Sequence, residues 1–380
     1  MFRGHSVTEQ KTIPLVQPTV APWSEVAADL EAAWNNPQVT VGQNGARFEA
    51  AVCERLGVDN AVMVSSCTAG LMIGLQALEL SGEVIIPPFT WTSTGLALLW
   101  NGLTPALADI TPGRYTLDPE SVEAAITEKT TAIMPVTVFG TPPDVDALAD
   151  IAERHGLKLL YDSAQGLGST IDGRAVGNFG DAEVFSMSPT KVATAMEGGV
   201  ITTNNNALAG RLRQMRDYGK STDGSGNIEL MGLSARQSEL HAVTANHSLR
   251  KLDECIESRE RLVALYRRNL KGLKGIYFQE LPPSCRSTWN YFTIFVRSHE
   301  AGVDCETLKK ALAHRAIQSK RYFYPAIHHQ TVFGELRERY HGKLPVAEQA
   351  SNEGLALPLY SHMSEADVLC VCAAVKELLT

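Results

Sequence analysis

Short apolar segments alternate with longer amphipathic ones between residues 45 and 215. An apolar residue at every third or fourth position predicts a helix, whereas a short run of apolar, β-branched residues predicts a buried strand. Alternation of the two is typical of βαβ units around a mostly parallel sheet. The predicted strands are 61–64, 84–86, 132–134, 157–161, 183–185 and 200–203, and the predicted helices are 48–56, 69–80, 119–126, 145–155 and 207–216.

After Gly232 the pattern changes to longer and more highly charged helical segments, beginning with the periodic Leu and Val positions of 239–270. A strand is predicted at 291–296 and helices at 304–315 and 364–378, the last opened by a capping-box pattern. We therefore predict two domains. A large domain with an N-terminal arm spans residues 1–238, and a smaller α+β domain spans residues 239–380.

Composition and charge limit the kinds of molecule that the protein is expected to bind. Hydrophobic residues make up 44% of the chain and charged residues 20%, which is typical of a globular protein. The formal net charge is −8, and no long block of one sign occurs, which argues against nucleic acid or a membrane surface as partner. Neither a secretory signal nor a run of ~18 apolar residues is found. We expect a cytoplasmic protein that binds small molecules.

The spacing of the cysteines and glycines argues against several common binding sites. The seven cysteines form no C-x-x-C pair, so neither a disulfide framework nor a zinc site is expected, and no metal is predicted. The segment 219–221 ends like a P-loop, but Gln214 stands where the first glycine is required. Gly166 and Gly168 lack the third glycine of a dinucleotide fingerprint. ATP and NAD are therefore not implied.

Two residues carry the candidate chemistry. Asp162 follows a predicted buried strand, where a carboxylate can meet a buried cation. Lys191 lies in a Ser/Thr/Pro-rich loop between two strands, where desolvation can make its amine a nucleophile. Together they suit pyridoxal phosphate, because a lysine forms a Schiff base with its aldehyde and a carboxylate keeps its ring nitrogen protonated. Taken singly, both are ordinary residues. An Asp after a strand, for example, is more often a helix cap.

Four motifs follow one another around these two residues. They are D-S-A-Q at 162–165, G-x-x-G-D at 177–181, F-S-x-x-x-x-K at 185–191 and E-G-G at 197–199. Their order resembles the DegT/StrS-like sugar aminotransferases, a family of fold-type I pyridoxal phosphate enzymes, and the resemblance covers about residues 40 to 360. It implies an α/β fold with a mostly parallel sheet flanked by helices and a smaller C-terminal α+β domain.

The resemblance also implies cofactor-binding roles beyond those of Asp162 and Lys191. Thr68 and Ala69, in the S-C-T-A-G segment 66–70, would hold the phosphate at a helix N-terminus. Ser186 would reach the same phosphate from a strand end. Ser234 stands where the family usually has an asparagine that contacts the phosphate in the partner subunit.

The remaining implied roles concern the cofactor ring and the substrate. Trp91 would stack on the pyridine ring, and Gln165 would lie on its other side. Arg236 lies in a segment that reaches across the dimer interface. The resemblance further implies that Arg321, Tyr324 and His328, in an R-x-Y-Y-P-x-x-H-like segment, lie near the phosphates of a nucleotide sugar.

The function implied is that of a homodimeric transaminase with a shared active site. It would move an amino group from L-glutamate to the ketone of a nucleotide-linked keto-deoxysugar. Two alternatives stay open: a cyclitol ketone as acceptor, and a non-catalytic regulator that binds pyridoxal phosphate. A third alternative is the dehydratase branch of the family. The last has histidine in place of the Schiff-base lysine, so Lys191 weighs against it.

Overall fold

A seven-stranded sheet forms the centre of the larger part of the molecule. The computed structural model of the protein describes residues 11–379. The strands in this part of the chain are β1 (Asn60–Val64), β2 (Glu83–Ile86), β3 (Thr104–Leu107), β4 (Thr130–Ile133), β5 (Lys158–Asp162), β6 (Thr170–Ile171), β7 (Arg174–Ala175), β8 (Ala182–Ser186), β9 (Gly199–Thr203), β10 (Ile276–Phe278), β11 (Cys285–Arg286), β12 (Phe292–Val296) and β13 (Gly354–Leu357).

The large sheet has the strand order β1-β9-β8-β5-β4-β2-β3. Neighbours from β8 through β3 run parallel, whereas β9 is antiparallel to both β1 and β8. All residues of β1, β8 and β9 are buried, as expected of strands that helices cover on both faces. The prediction of an α/β fold with a mostly parallel sheet is confirmed.

The described part of the chain contains fourteen α-helices, and those of the larger part of the molecule cover both faces of this sheet. The fourteen helices are α1 (Trp23–Trp34), α2 (Gln43–Leu56), α3 (Cys67–Ala77), α4 (Thr92–Trp100), α5 (Pro119–Ala125), α6 (Val145–His155), α7 (Asn206–Arg216), α8 (Glu239–Arg250), α9 (Leu252–Leu270), α10 (Ser298–Ala301), α11 (Cys305–Ala313), α12 (Gly334–Arg339), α13 (Pro345–Glu353) and α14 (Glu365–Leu379). Successive strand residues point to opposite faces. Accordingly, Val84 and Ile86 of β2 pack in one core with Leu71 of α3, and Ile85 packs in the opposite core with Leu148 of α6.

A second core surrounds the three-stranded antiparallel sheet β10-β12-β13. Ile294 of β12 and Leu355 of β13 pack there with Leu262 of α9 and Val371 of α14. The C-terminal part of the chain therefore has the α+β composition that the sequence pattern predicts.

Helix α8 packs with the larger part of the molecule. Its Ala242 shares a core with Phe48 of α2. The Glu239 carboxylate accepts the N–H of Gly42 at 2.9 Å, at the start of α2, where the helix dipole favours negative charge. Helix α9 contributes Ile256 to this core and its later residues to the second one. The domain boundary between residues 238 and 239 stays a prediction, and α9 connects the two cores.

Most element positions agree with the pattern to within a few residues, and α6 coincides with the predicted helix 145–155. The helical segment 239–270 forms two helices, because Lys251 leaves the helical conformation with φ −95° and ψ 3°. The pattern misses β3, whose apolar run contains Pro105. This strand lies at the sheet edge, where the missing N–H of a proline is tolerated.

Among residues 11–379, no helix is long and apolar enough to cross a membrane. All seven cysteines are free thiols.

Candidate active site

A cavity of about 340 Å³ opens at the carboxyl ends of the parallel strands. β5 ends at Asp162 and β8 ends at Ser186, and open α/β sheets bind their ligands at this edge. Its volume lies within the ~300–1,000 Å³ of small-molecule sites. The lining residues are Ser66, Cys67, Thr68, Trp91, Ser93, Asp162, Ala164, Gln165, Ser186, Ser188, Thr190, Lys191, Glu197, Gly198, Tyr291, Lys320, Tyr322 and Phe323.

The Asp162 carboxyl group is buried in the cavity wall. Its Oδ2 accepts the Thr94 hydroxyl at 2.7 Å, and its Oδ1 accepts the Ala164 N–H at 3.2 Å. Burial raises its pKa, and these hydrogen bonds and the Lys191 ammonium only partly offset that effect. No cationic side chain forms an ion pair with Asp162 anywhere in the described part of the chain. The carboxylate is therefore a buried negative charge that a cationic ligand group would stabilise.

Lys191 lies on the same cavity, in the loop between β8 and β9. The backbone N–H of Lys191 donates to the Ser188 carbonyl at 3.0 Å, and this hydrogen bond closes a turn in the loop. The ammonium Nζ lies 5.9 Å from the centre of the Tyr291 ring. Among residues 11–379 no carboxylate pairs with it, so the amine remains available to a ligand. Asp162 and Lys191, 29 positions apart in sequence, are thus brought to one cavity.

One end of the cavity is formed by the N-terminus of α3. Ser66 caps this helix by accepting the Ala69 N–H at 3.1 Å, and Thr68 follows in its first turn. The early N–H groups of a helix have no intrahelical partner and attract anions. Ser186 lines the cavity as well. Gly199 of the E-G-G motif lets β9 approach this turn, because a Cβ there would lie 2.8 Å from the Cys67 nitrogen.

Trp91 and Gln165 occupy different depths of the cavity. Trp91 precedes α4 and is 51% exposed, and its ring meets the Tyr322 ring edge to face with 6.5 Å between centroids. Gln165 is buried, and its Oε1 accepts the Phe139 N–H at 2.6 Å, which fixes the side chain. Seven of the eight predicted cofactor-binding residues are therefore on this cavity or at the helix turn beside it, and Ser234 is not.

The predicted substrate residues do not line the cavity of their own chain. The Arg321 guanidinium stacks on the Tyr324 ring at 3.3 Å and donates to the Asn352 carbonyl at 3.0 Å. His328 is fully buried, 3.2 Å from a Glu348 oxygen, and burial lowers its pKa. Their substrate-binding roles stay predictions.

Ser234 and Arg236 lie together outside the cavity, in the segment before α8. Ser234 is exposed and forms a β-bridge with Asp217, and Arg236 forms an ion pair with the same aspartate at 3.1 Å. The Arg236 guanidinium lies 5.2 Å from the centre of the Tyr218 ring. The predicted contacts of both residues with a partner subunit stay predictions.

Sequence reasoning missed four cavity residues from the C-terminal part, Tyr291, Lys320, Tyr322 and Phe323. The Lys320 ammonium lies 5.1 Å from the Trp91 ring centre and 4.7 Å from that of Tyr322. Burial would raise the pKa of the Tyr291 phenol, but the Lys191 charge and hydrogen bonds to Thr190 and Tyr322 outweigh it, so that this pKa is lowered. No local motif marks Tyr291 or Lys320, and the R-x-Y-Y-P-x-x-H-like segment that contains Tyr322 and Phe323 assigned no role to those two residues.

The fold and the cavity with its buried carboxylate and free lysine define an enzyme of the aminotransferase class. The chain belongs to the DegT/DnrJ/EryC1/StrS aminotransferase family, whose sequence model matches residues 23–376.

Two curated relatives and one solved structure illustrate the similarity. The chain is 32% identical over 362 residues to a dTDP-4-amino-4,6-dideoxy-D-glucose transaminase of Escherichia coli, covering 93% of this chain and 95% of the relative. It is 30% identical to a UDP-N-acetyl-3-dehydro-alpha-D-glucosamine 3-aminotransferase of Acidithiobacillus ferrooxidans, over 98% of this chain and 100% of the relative. The structure of DesI with its TDP-sugar product has a TM-score of 0.92 and 31% identity, covering 99% of this chain and 95% of DesI.

Proposed function

We propose that this aminotransferase uses pyridoxal phosphate to transfer an amino group from L-glutamate to the ketone of a nucleotide-linked keto-deoxysugar. The observation that carries the proposal is the single cavity that contains both the buried Asp162 carboxylate and the unpaired Lys191 amine. The names of the two curated relatives support a nucleotide sugar as acceptor.

The residues present fit this cofactor. Asp162 has no cationic partner in the described part of the chain, so it can receive a protonated ring nitrogen. The N-terminus of α3, with Thr68 and Ser186, can receive a phosphate. When bound, pyridoxal phosphate supplies an aldehyde that takes up the amino group and a ring that withdraws electrons from the reacting carbon.

Residues of the chain itself would transfer the proton, hold the charge and position the ring. The Lys191 amine would take the proton from the amino-bearing carbon of the donor and would return a proton during transfer. Asp162 would keep its negative charge against the pKa-raising effect of burial once a cation faces it. Trp91 and Gln165 would hold the ring between them, and the depth of the cavity would exclude bulk water from the amine.

A nucleotide-linked acceptor carries a diphosphate, which needs a cation because the chain as a whole has a charge of −8. Lys320 lines the cavity, is exposed, and pairs with no carboxylate among residues 11–379. Arg321 beside it is already engaged by Tyr324 and Asn352. We therefore assign the diphosphate contact within the cavity to Lys320.

Replacing Lys320 with Ala should lower kcat/KM for a nucleotide sugar by about 10- to 100-fold, since hydrogen bonds to charged groups contribute about 1.5–3 kcal/mol. The rate of the glutamate half-reaction, measured in single turnover, should remain nearly unchanged. Lys274→Ala, at an exposed lysine before β10, is the control. If Arg321→Ala impairs acceptor use and Lys320→Ala does not, the assignment to Lys320 is wrong and the expectation from the sequence holds.

The acceptor class itself is tested by a substrate screen. Keto-sugar nucleotides and cyclitol ketones are incubated with the enzyme and glutamate, and aminated products are identified by mass spectrometry. We expect product from a nucleotide sugar. Better amination of an uncharged cyclitol ketone would replace the proposed acceptor, and a protein that binds the cofactor without turning over any donor would favour the regulator.

We also propose that two subunits share each active site. If Arg236 contributes to the site of the partner subunit, mixing Lys191→Ala and Arg236→Ala subunits places one intact Lys191 and one intact Arg236 at one of the two sites of each mixed dimer. Random mixing should therefore restore about a quarter of the wild-type activity. Mixed dimers that form and stay inactive would contradict a shared site, as would full activity of a monomeric species.

A further inference from the structure

Three side chains of types that can ligate a metal ion form a cluster apart from the cavity that contains Asp162 and Lys191. His328 and His329 belong to a short 3-10 helix, Ile327–His329, and Glu348 belongs to α13. One ligand atom from each residue lies within 4.8 Å of the other two. His328 is fully buried, and the other two side chains are about one third exposed.

The Glu348 carboxylate is hydrogen-bonded to His328 and lies close to His329 as well. The Glu348 Oε1 lies 3.2 Å from the His328 Nε2 and 3.7 Å from the His329 Nε2. The second distance is too long for a hydrogen bond. Both distances are close to the edge of a tetrahedron of ligands around zinc, which is about 3.3 Å for metal–ligand bonds of ~2.0–2.1 Å. Two imidazoles thus converge on one carboxylate oxygen.

An open space adjoins the cluster. A separate cavity of about 260 Å³ is lined by His329 and Glu348 together with Tyr324, Arg337, Ser351 and Asn352. It provides an entry path for an ion and room for a water molecule as a further ligand. Two histidines and one glutamate with one open position form a ligand set that suits Zn²⁺.

We propose that His328, His329 and Glu348 form a Zn²⁺ site with water as the fourth ligand. The sequence analysis predicted no metal from the spacing of the cysteines, and His329 and Glu348, which are 19 positions apart, match no ligand motif. The ion would join the 3-10 helix to α13. The segment 320–323 precedes this 3-10 helix by a few residues and contributes Lys320, Tyr322 and Phe323 to the catalytic cavity. The ion would therefore help to hold this segment in position.

The test uses tag-free protein stripped of metal and titrated with Zn²⁺ by calorimetry, and with Co²⁺ to obtain the visible spectrum of tetrahedral coordination. We expect one equivalent to bind, with a tetrahedral Co²⁺ spectrum. His329→Ala and Glu348→Gln should each weaken binding by at least about 10- to 100-fold. His341→Ala, at an exposed histidine outside the cluster, should bind as the wild type does.

His329→Ala is the decisive variant, because His329 is partly exposed and its loss leaves the contact between His328 and Glu348 in place. Zn²⁺ should raise the melting temperature of the wild type and not that of this variant. The proposal is overturned if the wild type binds no Zn²⁺, if the Co²⁺ spectrum is octahedral, or if His329→Ala binds as tightly as His341→Ala. These measurements need no turnover, so their outcome is independent of the proposed function.

Discussion

Replacing Lys191 with Ala should abolish transamination while leaving the fold intact. Loss of proton transfer by a positioned amine alone lowers a rate by about 10²–10⁴-fold, and loss of the nucleophile adds to this. The side chain is half-buried and makes no ion pair in the described part of the chain, so its removal breaks no ion pair. Release of the keto acid from glutamate under single-turnover conditions measures the effect.

Two observations separate a catalytic role of Lys191 from a structural one. In the wild type, borohydride treatment should attach the cofactor to Lys191, as located by peptide mass spectrometry. Lys274→Ala provides the matched control, because it removes an exposed lysine that does not line the cavity. Attachment at another lysine, or a Lys191→Ala enzyme with activity within tenfold of the wild type, would show that the assignment is wrong.

Asp162→Asn should fold like the wild type and lose most of its turnover. The amide has the size of the carboxylate and its oxygen can still accept the Thr94 hydroxyl, whereas the Ala164 N–H loses its acceptor. The amide carries no charge, however, and cannot hold a ring nitrogen in its protonated form. Loss of such a charge-assisted contact costs about 1.5–3 kcal/mol, or one to two decades in rate, before any electronic effect. The measurement is kcat for the glutamate half-reaction.

The control for Asp162→Asn is Asp150→Asn, on an exposed position of α6. Its kcat and melting temperature should match those of the wild type. Because the Asp162 carboxyl is buried and its pKa is raised, the neutral amide removes the cost of a buried charge, which offsets the lost Ala164 hydrogen bond. The thermal stability of the cofactor-free protein should therefore change little. An Asp162→Asn enzyme with near wild-type kcat would refute the role of this carboxylate.

Local sequence determined the architecture of the large sheet and its two central site residues. Strand and helix patterns depend on residues a few positions apart, and helix 145–155 is reproduced as α6. Asp162 and Lys191 were identified because their motifs follow one another within about forty residues around β5 and β8. Parallel strands end at one edge, so their sequence order already indicates proximity.

Tertiary structure alone decided which C-terminal residues meet this edge. Lys320 and Tyr291 lie more than a hundred positions after Asp162, and no periodicity encodes their approach to it. Arg321 and Lys320 are adjacent and alike in charge, yet stacking on Tyr324 leaves only Lys320 on the cavity. The burial of His328 likewise could not be predicted from the sequence. A polar residue in a loop-like segment is buried by long-range packing, and such packing depends on the whole fold.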